Sequence, residues 1–349
     1  MVDIDIDTLT IAADPYPAHD KMTEKAILEL DDGRWVVATA EHVEQILADP
    51  EALIGFDGND SAAGVQSRMA RFTDGPSHEQ RRAVAIEQLG QLDPAALHTR
   101  ALALTRSLLA HHGTVDLMTT LARFVPVSVL SSALADPVGP VTGSAHAAVL
   151  RLAQAIAPER GRPRGDAETP AHRIAELIEP AAAFDDATVN IVALLFQTID
   201  ATAGLIGNSV LTAARLGAPM LDDHACVGFV GEVSRFDPAV HFTTRRAATE
   251  IVLAGHRIPR GATIVVDLAA AGRDPSRVDQ PGEFRPSRGG PSLAFGDGRH
   301  RCPGRDHALG LASGVFQGVL SSGGRLITAD VTYEQRFNLR VPVHLSWTI

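Results

Sequence analysis

The chain has 349 residues, 45% of them hydrophobic, enough for one large domain or two modest ones with a substantial core. Acidic residues outnumber basic ones, 42 to 31, and the net charge of −11 excludes a protein that reads nucleic-acid phosphates through a broad basic face. Two cysteines, Cys226 and Cys302, cannot build a disulfide framework and no basic-then-apolar leader opens the chain, so a cytoplasmic location is expected.

Residues 34–39 read as a strand and 41–47 as a helix stopped by Asp49-Pro50. From Thr73 to Arg82 the chain breaks into a helix that continues towards Leu89, and His78 and Arg82, four apart, share one face of it. A cation and an imidazole so placed suit a pair of carboxylates, although a solvated helix face carries such pairs too. Alanine- and leucine-rich core helices follow over 94–110 and 116–134, the second with a Phe124-Val125-Pro126 step. Between Val138 and Phe184, Gly161, Pro163 and Gly165 sit among charges, which predicts two short helical pieces joined by a mobile linker.

Asp185 and Asp186 supply N-cap chemistry for a long helix from 187 to about 215, apolar nearly all round and therefore buried. Gln197, Asp200 and Asn208 interrupt it, which argues against a membrane span, and an acid inside such a helix needs a partner or a task. Glu232 and Arg235 lie one turn apart on a helix ended by Asp237-Pro238. Strand signals at 240–242, 249–253 and 263–266 alternate with a turn at 257–261, and 325–327 and 339–345 are candidates to close a second small sheet.

The stretch 295–304 precedes a helical pattern running from Arg305 to about Leu320. Cys302 stands just before that helix, with Pro303 where a helix start tolerates proline, so the positive end of the helix dipole is expected to favour thiolate, the form that ligates a soft metal. Gly296, Gly298 and Gly304 let the backbone turn tightly and pass close to a flat, bulky group such as a haem. A buried structural cysteine in a glycine-rich turn is the plain alternative. The run fits Phe-x-x-Gly-x-His-x-Cys-x-Gly at every fixed position and resembles the haem-thiolate loop of the cytochromes P450.

That resemblance, loosest over 138–184, extends from about Trp35 to the C-terminus. It implies a mainly α protein with small β-sheets, a cytochrome P450 fold shortened in the substrate-lid region, as a single domain over 1–349. It implies haem b with Cys302 as the iron ligand, Phe295, Gly296 and Gly304 shaping the loop, and His78, Arg82, Arg246 and His300 holding the propionates. Glu232 and Arg235 resemble the family's Glu-x-x-Arg lock, and His307, where the family often has leucine, is expected to face solvent, the alternative being a residue that tunes the proximal side. Arg285, Arg288, Arg299, Arg301 and Arg305 stand against Asp297 alone, which fits either propionate contacts or a docking face for an acidic electron donor.

Leu205-Ile206-Gly207-Asn208 resembles the end of the family's oxygen-side helix, a register that puts Asp200 on the proton-relaying acid. The same register puts Ala201 where threonine is usual and Gln197-Thr198 where Ala-Gly is usual; Thr202 points about 100° further round the helix, so the acid–alcohol pair is broken. Water held by Asp200 and Thr198, a hydroxyl or amine on the substrate, or chemistry that needs no second proton would repair it. The implied function is oxidation of a specialised metabolite in a bacterium, by hydroxylation or by oxidative coupling or ring closure. Dioxygen is the co-substrate, and electrons come from NAD(P)H through a ferredoxin and ferredoxin reductase. The substrate is a small molecule, or one carried on a protein or peptide that completes the shortened roof. Neither nucleic acid nor membrane is expected as a partner. A haem sensor or degenerate homologue without turnover, and a peroxide-driven peroxygenase, are the competing readings.

Overall fold

The computed structural model describes residues 5–54, 68–135, 186–217, 221–290, 292–327 and 330–349; the helical pieces expected between 138 and 184 lie outside them. Helix α1 (Tyr16–Lys25) leads into strands β1 (Ile27–Glu29) and β2 (Trp35–Val37), followed by α2 (Ala40–Ala48) and β3 (Ala52–Leu53). Next come α3 (Gly75–Gly90) and α4 (Pro94–Leu109), each with proline in its first turn, where the missing N–H has no helical partner to lose. Asp93 caps α4 by accepting from Ala95 N.

Strand β4 (Thr114–Asp116) and a π-helical turn, Met118–Ala122, precede α5 (Phe124–Ala135), where one continuous helix from 116 was expected. The reason is a distant partner: β4 pairs with the C-terminal strand, and Asp116 Oδ1 accepts from Leu345 N at 3.0 Å. Pro126 falls in the first turn of α5, where it is tolerated.

The long helix α6 (Asp186–Leu216) is followed by α7 (Asp223–Phe236). Among the described residues α6 is the helix long and apolar enough to cross a membrane, but 72% of its most apolar window is buried inside the protein, as a core helix requires. Asn208, fully buried, donates to Asp237 O at 3.0 Å and ties α6 to the end of α7.

Strands β5 (Phe242–Ala247), β6 (Ile251–Leu253), β7 (His256–Ile258) and β8 (Thr263–Asp267) follow. One sheet has the order β1-β2-β8-β5-β3, antiparallel except where β2 runs parallel to β8 with Val36 opposite Val265. Strands β6 and β7 form a hairpin, closed by positive φ at both Ala254 (47°) and Gly255 (83°). Helix α8 (Arg305–Ser321) leads to β9 (Arg325–Leu326) and β10 (Ser346–Thr348), which complete the second sheet in the order β4-β10-β9. The tail does close that sheet, but through 346–348: residues 339–345 contribute only single bridges at Leu339 and Pro342, and Pro342 has no N–H to extend a ladder.

Helix α8 is the packing axis. Gly310, Gly314 and Gly318 form a stripe on the face that meets α4, where an added Cβ would strike Pro94 O, His98 O and the Thr105 side chain in turn. His98 then bonds Ser313 Oγ and Gln317 Oε1, both at 2.9 Å, across the same contact.

Candidate active site

The loop before α8 is built by local bonds. Ser292 caps the turn at Leu293–Phe295 and donates to Ser234 O at 2.9 Å, which fastens the loop to α7. Gly296 (φ 69°) and Gly298 (φ 62°) take left-handed backbone, and a Cβ at Gly298 would run into Leu47 O of α2. Cys302 N donates to Phe295 O at 2.9 Å, closing the loop, and Gly304 is the N-cap of α8.

The thiol differs from the sequence expectation. Burial pushes the Cys302 pKa up, and the Gly304 N–H and the charges of Arg82, Arg71 and Arg301 oppose it without winning. Desolvation therefore outweighs the helix start.

Glu232 (5% exposed) receives Arg235 Nη2 at 2.6 Å and Nε at 3.0 Å, and accepts from Arg285 N at 3.0 Å and Arg288 Nε at 3.3 Å. Arg235 in turn donates to Pro281 O and Glu283 O. The Glu-x-x-Arg pair thus fixes the segment leading to the loop. The basic stretch is largely occupied: Arg285 and Arg288 serve this lock, Arg299 donates to Asp49 O and Ala52 O, and Arg305 pairs with Asp306. Arg301 is exposed.

A cavity of about 670 Å³ lies between this loop and α6. Phe295, Gly296, His300, Cys302 and Gly304 line it from the loop side, and His78 and Arg82 from α3. The His78 and His300 rings meet with centroids 4.0 Å apart, and His300 Nε2 lies 3.0 Å from Asp74 Oδ1. Burial pulls the His300 pKa down to about 4, against its bond to Asp74, and lowers that of His78 as well. His78 Nδ1 is buried without a hydrogen-bond partner.

Arg245, not the expected Arg246, borders the cavity: alternation along β5 buries Arg245 (4% exposed) and turns Arg246 outward. Burial lowers the Arg245 pKa to about 10. His307 is likewise not solvent-facing. It is half-buried beside the cavity and its Nε2 donates to Leu89 O at 2.9 Å, receiving the end of α3.

On the α6 side Thr198, Asp200, Ala201 and Thr202 all border the cavity. Thr198 Oγ1 donates to Leu194 O at 2.8 Å, and Gln197 Nε2 to Ala193 O at 3.1 Å, so both donors turn back onto their own helix. Thr202 is buried, at 3% exposure. Asp200 is paired: Oδ1 lies 3.5 Å from Arg123 Nε and Oδ2 3.0 Å from Arg336 Nη1, while Glu334 binds both arginines.

These residues fit a haem. A cysteine stands at one wall, an imidazole nitrogen is orphaned, and three cavity guanidiniums, Arg71, Arg82 and Arg245, have no carboxylate partner among the described residues. The comparisons agree. The Cytochrome P450 family model matches residues 227–309, which hold the Glu232 lock, Arg245 and the Cys302 loop. Over those residues the chain is similar to the cytochrome P450 family, and its relatives and structural neighbours are P450 proteins.

Among curated P450 proteins, the monooxygenase DoxA of Streptomyces sp. (strain C5) is 38% identical over 157 residues, 43% of this chain and 36% of DoxA. Putative cytochrome P450 140 of Mycobacterium tuberculosis is 33% identical over 164 residues, 44% of this chain and 37% of that protein. The matched stretches therefore span little more than a third of these relatives. Solved P450 structures share the fold over nearly the whole chain. P450BioI in complex with a hexadec-9Z-enoic acid-ligated acyl carrier protein gives a TM-score of 0.80 at 19% identity, covering 98% of this chain and 100% of that one. OxyD, involved in biosynthesis of vancomycin-type antibiotics, gives 0.75 at 20%, covering 100% and 99%.

Two cavity residues escaped the sequence reading. Arg245 is adjacent to the arginine singled out, and strand parity was the signal that separates them. Arg71 left no local signal, because only the folded chain brings the turn at Ala70–Phe72 to the cavity.

Proposed function

We propose that this chain is a haem-thiolate oxidoreductase that tailors a specialised metabolite, by hydroxylation or by hydrogen-removing coupling or ring closure. The observation that carries the reading is the placement of Cys302 on the same cavity as three guanidiniums without carboxylate partners, facing the polar wall of α6. Cys302 would ligate the iron of haem b. Arg82 and Arg245, with His78 and His300, would hold the propionates, and Phe295, Gly296 and Gly304 would shape the loop against the macrocycle. Bound haem would supply the oxidising chemistry, using dioxygen and electrons from NAD(P)H delivered by a ferredoxin-type partner.

The chain's own residues set the rest. Asp200 would hold the proton at Oδ2 when Arg336 releases it, with Thr198 and Thr202 as hydroxyl-bearing residues on the same wall. Ala201 on the cavity favours either a substrate that brings its own hydroxyl or amine, or the coupling chemistry that needs fewer protons. DoxA is a monooxygenase, OxyD is involved in antibiotic biosynthesis, and P450BioI forms a complex with an acyl chain on a carrier protein. They support a specialised-metabolite substrate, free or carried by a protein. The test is the dithionite-reduced, CO-bound difference spectrum of the wild type and of Cys302→Ser. A red-shifted Soret band present in the wild type and gone in the variant is expected; a band typical of a neutral iron ligand in both would overturn the proposal.

A further inference from the structure

The charged groups that border the cavity do not balance. Among the described residues, Arg71, Arg82, Arg245 and Arg336 face it, and Asp200 is the single carboxylate on its wall. Asp200 is committed to Arg336 and Arg123. A haem b brings two propionates, so one of the three remaining guanidiniums is left over even when the haem is in place.

Position tells which one. Arg82 lies one turn after His78 on α3, and Arg245 borders the cavity and acts electrostatically on His300, so these two cations stand by the paired histidine rings, which are tilted by 38°. Arg71 comes from a separate turn, Ala70–Phe72. Its Cζ lies 5.7 Å from the Phe72 ring centroid and its charge acts on the Cys302 thiol, and among the described residues none of its N–H groups meets an acceptor. It has accessible surface because it borders the cavity, yet enough protein surrounds it that desolvation lowers its pKa. A cation in such a recess, with no carboxylate to answer it, attracts an anion and can bind a carboxylate through two N–H groups at once. Ile54, Leu130, Leu194, Phe196 and Leu205 supply the apolar remainder of the wall.

We propose that Arg71 is a substrate-binding residue that takes the carboxylate of an acidic substrate with an apolar body. The assignment rests on the haem-thiolate reading, which supplies the two propionates in the count.

The experiment titrates haem-loaded protein with matched probes, dodecanoate against dodecanamide and 4-phenylbutyrate against 4-phenylbutanamide, following the spin-state shift of the Soret band. In the wild type at least one acid should bind roughly 10- to 150-fold more tightly than its amide. That preference should vanish in Arg71→Gln and survive in part in Arg71→Lys. Equal binding of acid and amide, absence of a shift with every acid, or a preference undiminished in Arg71→Gln would overturn the assignment. Haem transfer to apomyoglobin separates the two sources of carboxylate. Unchanged transfer in Arg71→Gln is expected, and faster transfer would give Arg71 to a propionate and overturn the substrate role. The reduced CO spectrum of the same preparations separates the failures: a red-shifted band without acid preference removes Arg71 alone, and loss of the band in the wild type takes both readings down.

Discussion

Arg336 Nη1 lies 3.0 Å from Asp200 Oδ2, so the acid on the cavity wall is held in an ion pair. Arg123 approaches the other oxygen at 3.5 Å and Glu334 joins both arginines, giving a cluster of two acids and two cations drawn from α6, the turn before α5 and the C-terminal segment. A carboxylate so engaged must loosen one contact before it can pass a proton.

Asp200→Asn leaves two guanidiniums to Glu334 alone. The cluster keeps some solvent access, so the expected loss of stability is about 1–2 kcal/mol, below that of a fully buried pair. Turnover should fall roughly 100-fold and a larger share of electrons should appear as hydrogen peroxide, as for a lost proton donor. Arg336→Gln, which loosens the carboxylate without removing it, should leave turnover at or above the wild-type rate. Coupled assays of substrate consumed and peroxide formed check this; if Asp200→Asn loses stability but keeps its rate, the acid is a structural anchor.

The glycine stripe of α8 makes a separate prediction. Gly314→Ala places a methyl group against His98 O and close to Ala101 Cβ, at the centre of the contact with α4. Neither neighbour is the flexible tip of a side chain, so the helices must move apart, and overpacking of this kind costs about 1–3 kcal/mol. Because α8 begins just beyond the Cys302 loop, the variant should also retain haem less well. Gly323→Ala, past the end of α8 in open space but at positive φ, gives the contrast: it should cost stability through backbone strain alone and leave haem retention unchanged. Thermal melts and haem-to-protein absorbance ratios read both effects.

What was legible in the sequence was local. The Cys302 loop, the apolar run of α6 and the Glu232–Arg235 spacing each lie within a few turns of chain, and each is where the residues placed it. What was missed depends on partners far along the chain. The Leu89 carbonyl that receives His307 and the strand that pairs with Asp116 are remote in sequence. The 310–314–318 spacing is visible on paper, but not that α4 lies against it. Arg246 was preferred over Arg245 because a motif match counts residues without knowing which face of a strand each will take.

A wholly buried relay behind the main sheet sets an acid limit on stability. His19 Nδ1 lies 2.7 Å from Asp267 Oδ2, and His19 Nε2 lies 3.0 Å from His241 Nδ1, joining α1 to the end of β8 and to the loop between α7 and β5, at 0% exposure for all three residues. The Tyr16 ring lies 6.3 Å from that of His241, tilted by 41°, and Arg340 and Asp237 close the surroundings. Burial drives the His241 pKa well below its usual value, helped by His19 and Arg340. A folded pKa below the unfolded one means that, as pH falls through about 6.5, the unfolded chain takes up a proton the folded protein refuses. This contribution is therefore neutral above that pH and destabilising below it, by about 1.4 kcal/mol per pH unit for one proton. Urea unfolding at about pH 7.5, 6.5 and 5.5 should show the wild type losing stability faster on the acid side than His241→Asn, whatever their difference at the highest pH. Parallel slopes in the two proteins would mean that His241 takes up its proton in the fold as it does in the unfolded chain, and would overturn this prediction.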